Sequence, residues 1–332
     1  MKAHPCVATL ALALTACTTQ ASLHLAGQAP PQPATSRAAL ASPRPDRGAS
    51  WLSTQAAKRG PLLYISDFYN FDVYIYSVPS LKPVGKLTGF LEPEGECSDA
   101  HGNVWIANTG NQQMLEFKPG GKSAIDTLAD PLGYPVGCAI DAVTGNLAVA
   151  NIFGVSGAGG ILVYKHASGT PDLYANPNQF YYYFDGYDAK GNLYASGMTS
   201  KNVYALSALR LGEKTMASLS IRGGKLYFPG TVLWNGPALV LGDQQCSGGT
   251  SSCLYEASVS GTTVSVTKKI PLADSCDVAQ VALHGKQLFG GDYESCTHVK
   301  SSSIDRWTYP AGGKPTESVT GVYDPIGAAI SN

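Results

Sequence analysis

The chain has 332 residues, a formal net charge of −1 and only 14% charged residues, whereas glycine is abundant at 37 residues. This composition favours many turns and short strands over long solvated helices. Nucleic-acid binding normally needs a basic surface that displaces counterions, and the sequence contains no cluster of lysine and arginine. Composition therefore excludes nucleic acid as a partner and indicates a β-rich protein.

The first residues are typical of an export signal. Lys2 precedes an apolar run at 7–13 that is far too short to span a bilayer. The run ends in LTAC at 14–17, which resembles a bacterial lipobox, with cleavage before Cys17 and lipidation of that cysteine. Residues 1–16 are thus predicted to be a lipoprotein signal peptide, and an ordinary signal peptide is the alternative. Thr18 follows the cysteine, which by analogy favours the outer membrane.

Residues 17–59 are predicted to be the lipidated cysteine followed by a disordered tether. The segment is rich in Pro, Ala, Ser and Gln, as in APPQPATS and ASPRPDRG, and it lacks hydrophobic periodicity. Such sequence buries too little apolar surface to offset the entropy of ordering, and its prolines keep it extended. We expect the acyl chains carried by Cys17 to attach the protein stably to a membrane, and no other part of the chain to contact the membrane.

Internal repeats begin at residue 60. EPEGECSDAHGNVWIAN (92–108) aligns with YPVGCAIDAVTGNLAVAN (134–151), and three later segments keep the pattern of strand, tight glycine turn and strand. The repeats end at positions 41 to 49 residues apart, namely at Asp67, Asn108, Asn151, Gly197, Asp243 and Asp292. The segment 324–331 holds only a first strand and 60–67 only a second, so the two complement each other. We predict an all-β domain at 60–332, a six-bladed β-propeller closed by its N- and C-terminal strands in one blade.

The motifs resemble those of a known family. EPEGECSDAHGNVWIANTGNQQMLEFKPGG is similar to an NHL-type repeat. GECSD, YPVGC, GNLAVAN and YYYFDGYDAKGNLY resemble uncharacterised bacterial exported propellers of the NHL-like or SMP-30-like kind. The resemblance covers most of 60–332 and implies the propeller fold. It leaves function open, because propellers include lactonases, lyases and binding platforms.

Six cysteines remain after the signal and the lipidation site, an even number that indicates three disulfides in an exported protein. Sequence alone permits 15 connectivities of six cysteines. Cys97 and Cys138 are predicted to hold the same repeat position on the inner strands of neighbouring blades, which favours a bond between them. Cys246 and Cys253 lie in one loop, which favours the pair Cys246–Cys253. The third expected pair, on one face of the same blade, is Cys276–Cys296. A cysteine metal site is the alternative, but the sequence has no Cys-x-x-Cys and no nearby pair of histidines.

An aromatic run, FYYYFDGY at 180–187, is predicted to cross from the outer strand of one blade to the inner strand of the next. There the rings either line the mouth of the channel or fill the wedge between blades. The residues expected to bind a ligand are Tyr181, Tyr183, Asp185, Tyr187 and Glu94.

Resemblance to SMP-30-type proteins implies a divalent cation such as calcium in the channel, held by hard oxygen ligands. Glu94 and Asp185 fall near the positions for such ligands, and Asn108 and Asn151 end second strands. Val136, Thr231 and Ile326 stand where further polar ligands belong, so the ligand set is incomplete and the metal stays unknown. Strand-end Asn also has a structural explanation, a hydrogen bond to the backbone of a turn.

Other catalytic motifs are absent from the sequence. The histidines form no recognisable zinc set, and no Gly-x-Ser-x-Gly motif occurs. We therefore predict a lipid-anchored or secreted protein of the bacterial cell envelope or periplasm. We expect it to be a monomer that binds a protein, peptide or carbohydrate through one face. Neither a cofactor nor catalysis is established by the sequence. A metal-dependent lactonase or hydrolase and a non-catalytic scaffold are the alternatives.

Overall fold

The computed structural model describes residues 48–54, 60–155, 157–293 and 302–332. Within these ranges the strands form six sheets arranged as the blades of a ring, which confirms the predicted fold class. The pairing within the sheets is antiparallel except between the strands Ser220–Arg222 and Thr263–Leu272, which are parallel. The predicted signal peptide, Cys17 and most of the tether lie outside the described residues, as does Cys296. None of the helices in the described ranges has the length and apolarity needed to cross a membrane.

The strands are numbered in chain order. Blade 1 comprises β1 (Trp51–Leu52), β2 (Leu62–Asp67), β3 (Asp72–Ser77), β4 (Lys82–Leu87) and β26 (Ala329–Ser331). Blade 2 comprises β5 (Pro93–Ser98), β6 (Val104–Asn108), β7 (Gln113–Phe117) and β8 (Asp126–Ala129). Blade 3 comprises β9 (Pro135–Ile140), β10 (Leu147–Gly154), β11 (Gly157–Tyr164) and β12 (Asp172–Tyr174).

Blade 4 comprises β13 (Tyr181–Tyr187), β14 (Leu193–Met198), β15 (Tyr204–Leu209) and β16 (Ala217–Ser218). Blade 5 comprises β17 (Ser220–Arg222), β18 (Pro229–Asn235), β19 (Ala238–Asp243), β20 (Ser252–Ser260) and β21 (Thr263–Leu272). Blade 6 comprises β22 (Val281–His284), β23 (Gln287–Asp292), β24 (Ser303–Thr308) and β25 (Glu317–Thr320). Short 3-10 helices lie at Thr109–Asn111, Lys165–Ala167 and Cys246–Gly248.

The two ends of the propeller domain meet in blade 1. β26 forms the inner strand and pairs antiparallel with β2, with Leu63 opposite Ile330. At the outer edge of the same blade, β1 pairs with β4. β1 falls within the segment 17–59 expected to be a tether. It covers an edge that would otherwise be open to pairing with another chain.

The core lies between the blades, because successive residues of a strand face opposite neighbours. In β2 every residue is buried. Leu62 and Tyr64 pack against blade 2. Leu63 and Ile65 pack against blade 6. Each such side chain, once fully buried, contributes roughly 1.5–3 kcal/mol.

The inner strands approach one another closely at glycines. A Cβ atom on Gly95 of blade 2 would lie 2.5 Å from the Val136 carbonyl oxygen of blade 3. A Cβ on Gly137 would lie 2.5 Å from the Tyr183 carbonyl oxygen of blade 4. The absence of a side chain at these positions therefore allows the narrow radius at the centre of the ring.

Candidate functional site

The ring has two faces, and the inner strands define them. At the N-terminal face the inner strands begin and the second strands end; at the C-terminal face the inner strands end. Strand-end side chains at the N-terminal face bind the segment that leads into their own inner strand. Asn108 Oδ1 accepts a hydrogen bond from Leu91 N at 2.7 Å, and Asn151 Oδ1 accepts one from Tyr134 N at 2.8 Å. Asp67 accepts from Tyr323 N in the same way.

These bonds give strand-end Asn and Asp a structural role in blade after blade. Asp243 accepts from the backbone of Tyr227 and Phe228, and Asp292 accepts from Cys276 N. The partner lies 15 to 17 residues earlier in the chain for Asn108, Asn151, Asp243 and Asp292. Asp67 and Asp243 also accept hydrogen bonds from the turn that follows, as the sequence suggested, from Asn70 N and Gln245 N. Asn108 and Asn151 therefore hold the crossover segments.

The aromatic run of blade 4 is divided between packing and the channel. Tyr182 is fully buried between blades 3 and 4, and its hydroxyl accepts a hydrogen bond from Asn176 N at 2.6 Å. Tyr181 is buried in an aromatic cluster with Tyr134 and Phe153 at the N-terminal face. Tyr183 is partly buried and makes an edge contact with Phe228, with ring centroids 5.4 Å apart. Most of this run therefore fills the wedge between blades.

A cavity of about 330 Å³ occupies the channel toward the C-terminal face. Every blade contributes to its wall through the inner strand or the residues flanking it. Polar and aromatic side chains on the wall include Glu96, Asp185, Tyr187, Thr231, Trp234 and Gln280. Volumes of this order suit a small organic molecule.

Glu96 and Asp185 occupy the same position in different blades. In blades 2, 3 and 4 the residue two positions before the repeat end (Asn108, Asn151 or Gly197) pairs with Glu96, Cys138 and Asp185, respectively. The two carboxyl groups thus belong to one level of the channel, two blades apart. The half-cystine Cys138 stands between them.

Both carboxyl groups are buried without a compensating charge. Glu96 is 1% exposed and Asp185 4% exposed, and none of their four carboxyl oxygens has a hydrogen-bond partner among the described residues. Burial raises the pKa of Asp185 to about 8. Burial also raises the pKa of Glu96 well above its usual value, against a smaller opposing effect of the Ala329 backbone. Burial therefore favours the protonated form of both groups, which can donate as well as accept hydrogen bonds.

Gln280 holds this part of the channel together. Its Oε1 accepts from Glu96 N at 3.0 Å and from Ala328 N at 3.1 Å, and its Nε2 donates to the Glu96 carbonyl oxygen at 2.7 Å. One side chain thus connects the inner regions of blades 6, 1 and 2. It fixes the backbone beside the Glu96 carboxyl group.

The residues expected to bind a ligand separate into two groups. Asp185 and Tyr187 line the channel cavity. Tyr181, Tyr183 and Glu94 lie toward the N-terminal face, where burial, Tyr181 and Glu94 all raise the pKa of Tyr183. The sequence analysis missed Glu96 because it took Cys97 as the equivalent of Cys138, one residue out of register. Aligning Gly95 with Gly137 would have revealed the equivalence of Glu96 to Cys138.

The sequence predicted an incomplete set of ligands for a divalent cation, and the described part of the structure does not complete that set. No group of three or more His, Cys, Asp or Glu side chains within reach of one ion occurs in the described part of the chain. Thr231 lines the cavity, while Val136 packs in the aromatic cluster at the N-terminal face. Asn108 and Asn151 are engaged with backbone, as described above. Among the described residues, the channel cavity therefore offers two carboxyl groups, Glu96 and Asp185, and no third acidic side chain.

Two disulfides join the predicted pairs, Cys97–Cys138 and Cys246–Cys253, with Cα atoms 5.6 and 5.4 Å apart. The reason given for the first pair was wrong, because Cys138 is equivalent to Glu96, and Cys97 is equivalent to Ala139. Cys276 is also disulfide-bonded. Because Cys296 lies outside the described residues, its pairing stays a prediction. Disulfides of this kind are typical of exported proteins.

Comparisons with solved structures agree with the ring of blades. A structure of a nidogen/laminin complex matches with a TM-score of 0.63 and 13% identity, covering 82% of this chain and 99% of the other. A Bacteroides caccae protein of unknown function matches with a TM-score of 0.60 and 12% identity over 82% and 100% of the two chains. Kuenenia stuttgartiensis hydrazine synthase matches with a TM-score of 0.53 and 14% identity over 75% and 72%.

At these identities the similarity establishes the fold alone. No family model matches the chain, and no curated protein matches it in sequence. The chain is thus a six-bladed β-propeller. The NHL-like and SMP-30-like resemblance stays an expectation.

Proposed function

We propose that this protein is an exported, lipid-anchored propeller that binds a small polar ligand in its channel. The observation that carries the proposal is the cavity of about 330 Å³ with two buried carboxyl groups, Glu96 and Asp185, that lack protein partners. A buried polar group without a partner is costly, so its retention needs a reason. A ligand that supplies the missing hydrogen bonds provides one.

The wall of the cavity also fits this role. Trp234 contributes a ring whose Nε1 has no hydrogen-bond partner among the described residues, and Tyr187 contributes a second ring. Val281 and Ile330 provide apolar contact beside them. Apolar walls with a few convergent polar groups are the usual composition of small-molecule sites.

A thermal-shift screen of amines, amino acids, sugars and nucleosides tests the proposal. A ligand of the channel should raise the melting temperature of the wild type and of Asp172→Asn, a control on the exposed outer strand β12. The same compound should shift Asp185→Asn much less. A screen without any shift, or equal shifts in Asp185→Asn, would favour a scaffold whose channel binds nothing.

Lipid anchoring is tested separately through Cys17, which lies outside the described residues. Expressed in a Gram-negative cell, the wild type should partition into detergent and Cys17→Ala should stay in the aqueous phase, because only the former carries acyl chains. Equal partition of both proteins would contradict the anchor and leave the channel proposal unaffected.

A protein partner at the N-terminal face is a second candidate function. Tyr69 and Tyr323 stack there with ring centroids 4.4 Å apart and are 42% and 59% exposed. Exposed tyrosines are frequent in protein interfaces. One similar propeller structure comes from a nidogen/laminin complex, which makes this use of the fold reasonable. Cross-linking in cell envelopes should give an adduct that the double variant Tyr69→Ala/Tyr323→Ala loses and Leu173→Ala keeps.

A further inference from the structure

A second cavity, of about 390 Å³, lies on blade 5 away from the central channel. It is enclosed by three parts of the chain, the segment that leads to the inner strand, the loop closed by Cys246–Cys253, and the adjoining strands β20 and β21. We call it the lysine groove. Its principal side chains are Lys225, Tyr227, Ser247, Tyr255, Lys268 and Lys269.

The lysine groove is positively charged in a protein whose formal net charge is −1. Three lysines line it, and none of the described residues on its wall is acidic. A nearby carboxylate, Asp243, is fully buried and accepts hydrogen bonds from three backbone N–H groups, of Tyr227, Phe228 and Gln245. Its charge is thus already engaged with backbone. The ammonium groups dominate the field that a ligand in the groove would meet.

The disulfide loop positions two of the three lysines. Lys269 Nζ donates to Ser247 Oγ at 2.7 Å. Lys225 Nζ lies over the ring of Tyr227, 4.5 Å from its centroid, a cation–π geometry. Gly248 packs against that same ring, since a Cβ there would lie 2.8 Å from Tyr227 Cε1. Ser247 and Gly248 therefore support one lysine each, directly or through Tyr227.

The conformation of this loop is unusual and depends on being held. Ser247 and Gly248 both adopt positive φ angles, 61° and 73°. For a serine this conformation is uncommon and carries an energetic cost. The Cys246–Cys253 bond closes the loop, and Cys246 N donates to the Ser251 carbonyl oxygen at 2.8 Å within it. The disulfide thus maintains the loop that arranges the lysines.

We propose that the lysine groove is a binding site for a small organic acid or phosphate ester, pre-ordered by the Cys246–Cys253 disulfide. The ammonium groups of Lys225 and Lys269 bind the anionic oxygens. Tyr255 and Val266 provide an apolar surface for the ligand's carbon skeleton. The site is separate from the channel, so it adds a binding activity and does not depend on the function proposed above.

Pre-ordering explains why a short loop carries a disulfide at all. A bond that closes so few residues stabilises the fold less than one that closes a long loop. It does reduce the entropy lost when a ligand fixes flexible side chains. Reduction of this bond should accordingly weaken anion binding more than it weakens folding.

Isothermal titration calorimetry on the mature protein tests the site with two probes, sodium D-glucuronate and glycerol 3-phosphate, with D-glucose as the neutral control. We expect at least one anion to bind at concentrations below about 10 mM and the sugar not to bind. Lys225→Gln and Lys269→Gln should each weaken binding about tenfold, and raised salt should weaken it further. Lys201→Gln, an exposed lysine of blade 4, should bind as the wild type does.

The two probes distinguish a carboxylate ligand from a phosphate ester, and the lysine variants distinguish binding in the groove from non-specific attraction to positive charge. Tighter binding of glucuronate indicates a carboxylate ligand, and tighter binding of glycerol 3-phosphate indicates a phosphate ester. The double variant Cys246→Ala/Cys253→Ala, which places no hydroxyl at the buried position 253, should lose affinity while its melting temperature falls only slightly. The proposal is overturned if neither anion binds, if Lys201→Gln loses as much affinity as Lys269→Gln, or if the cysteine variant binds as tightly as the wild type.

Discussion

Cys97 and Cys138 are bonded across blades 2 and 3 although they differ by one residue in the repeat. Alternation along a strand explains the offset. Cys97 pairs with Trp105, whose side chain packs toward blade 3, and Cys138 pairs with Val149, whose side chain packs toward blade 2. Equivalent residues face the same direction around the ring, so they cannot face each other. A bridge between inner strands therefore needs an odd offset.

This rule predicts that moving one cysteine by one position abolishes the bridge. In the variant Cys138→Ala/Ala139→Cys, both cysteines hold the same repeat position, and residue 139 faces blade 4 because its partner Ala148 does. We expect two free thiols by titration in denaturant and a loss of stability of about 2–4 kcal/mol. Cys97→Ala/Cys138→Ala should lose similar stability and show no thiol. A re-formed disulfide in the shifted variant would contradict the rule.

A carboxylate should be tolerated at the strand-end position of blade 2 but not at that of blade 3. Asn151 Nδ2 donates to Asp130 Oδ2 at 2.9 Å, so Asn151→Asp would place two buried carboxyl groups together. Urea unfolding should show a loss of about 3–5 kcal/mol at neutral pH, reduced in acid, where protonation relieves the repulsion.

Asn108→Asp is the matched control for that change. Asn108 keeps the same backbone bond, to Leu91 N, but its Nδ2 has no partner among the described residues. Asp67, Asp243 and Asp292 show that a carboxylate suits this position. A smaller loss, within about 1 kcal/mol, is therefore expected. Equal losses in the two variants would mean that Asp130 does not determine the outcome.

The Asp185 carboxyl group should make the protein less stable as pH rises. The folded pKa of about 8 lies above the unfolded value, so between pH 4 and 8 the folded state retains a proton that the unfolded state releases. The free energy of unfolding then falls by roughly 1.4 kcal/mol per pH unit from this group alone and levels off above its folded pKa. Glu96 acts with the same sign.

Melting curves of the wild type and Asp185→Asn from pH 5 to 8 check this dependence. The amide does not titrate, so the variant should lose less stability than the wild type as pH rises, and the difference should move steadily in its favour. Asp172→Asn, which changes an exposed carboxylate, should run parallel to the wild type. Parallel curves for Asp185→Asn would show that the carboxyl group is hydrated in solution.

The sequence predicted the fold well because the blades repeat the same local chemistry, a tight turn followed by an apolar strand that ends in Asn or Asp in five of the six blades. Features that break the repeat were harder. A one-residue error in aligning the repeats hid Glu96, and a two-residue strand such as β1 leaves no periodic pattern. The lysine groove joins Lys225 and Lys269, which lie on separate segments and meet only through the folded blade. Local pattern reveals blades, whereas sites depend on contacts between distant segments.

Closure of the ring should depend on Ile330 in the last strand. Ile330 is 6% exposed, lies opposite Leu63 in the β2–β26 pairing, and packs with Phe289 and Ile304 of blade 6. Ile330→Ala would remove contacts that join blades 6 and 1, and we expect a loss of about 2–5 kcal/mol in urea unfolding. Leu173→Ala removes a comparable side chain, 56% exposed on the outer strand of blade 3, and should cost far less.

Deleting 324–332 would go further and uncover the inner edge of β2, so the truncated protein should melt at a lower temperature and associate at high concentration. If the truncated protein has the same melting temperature as the wild type, β26 does not close the ring.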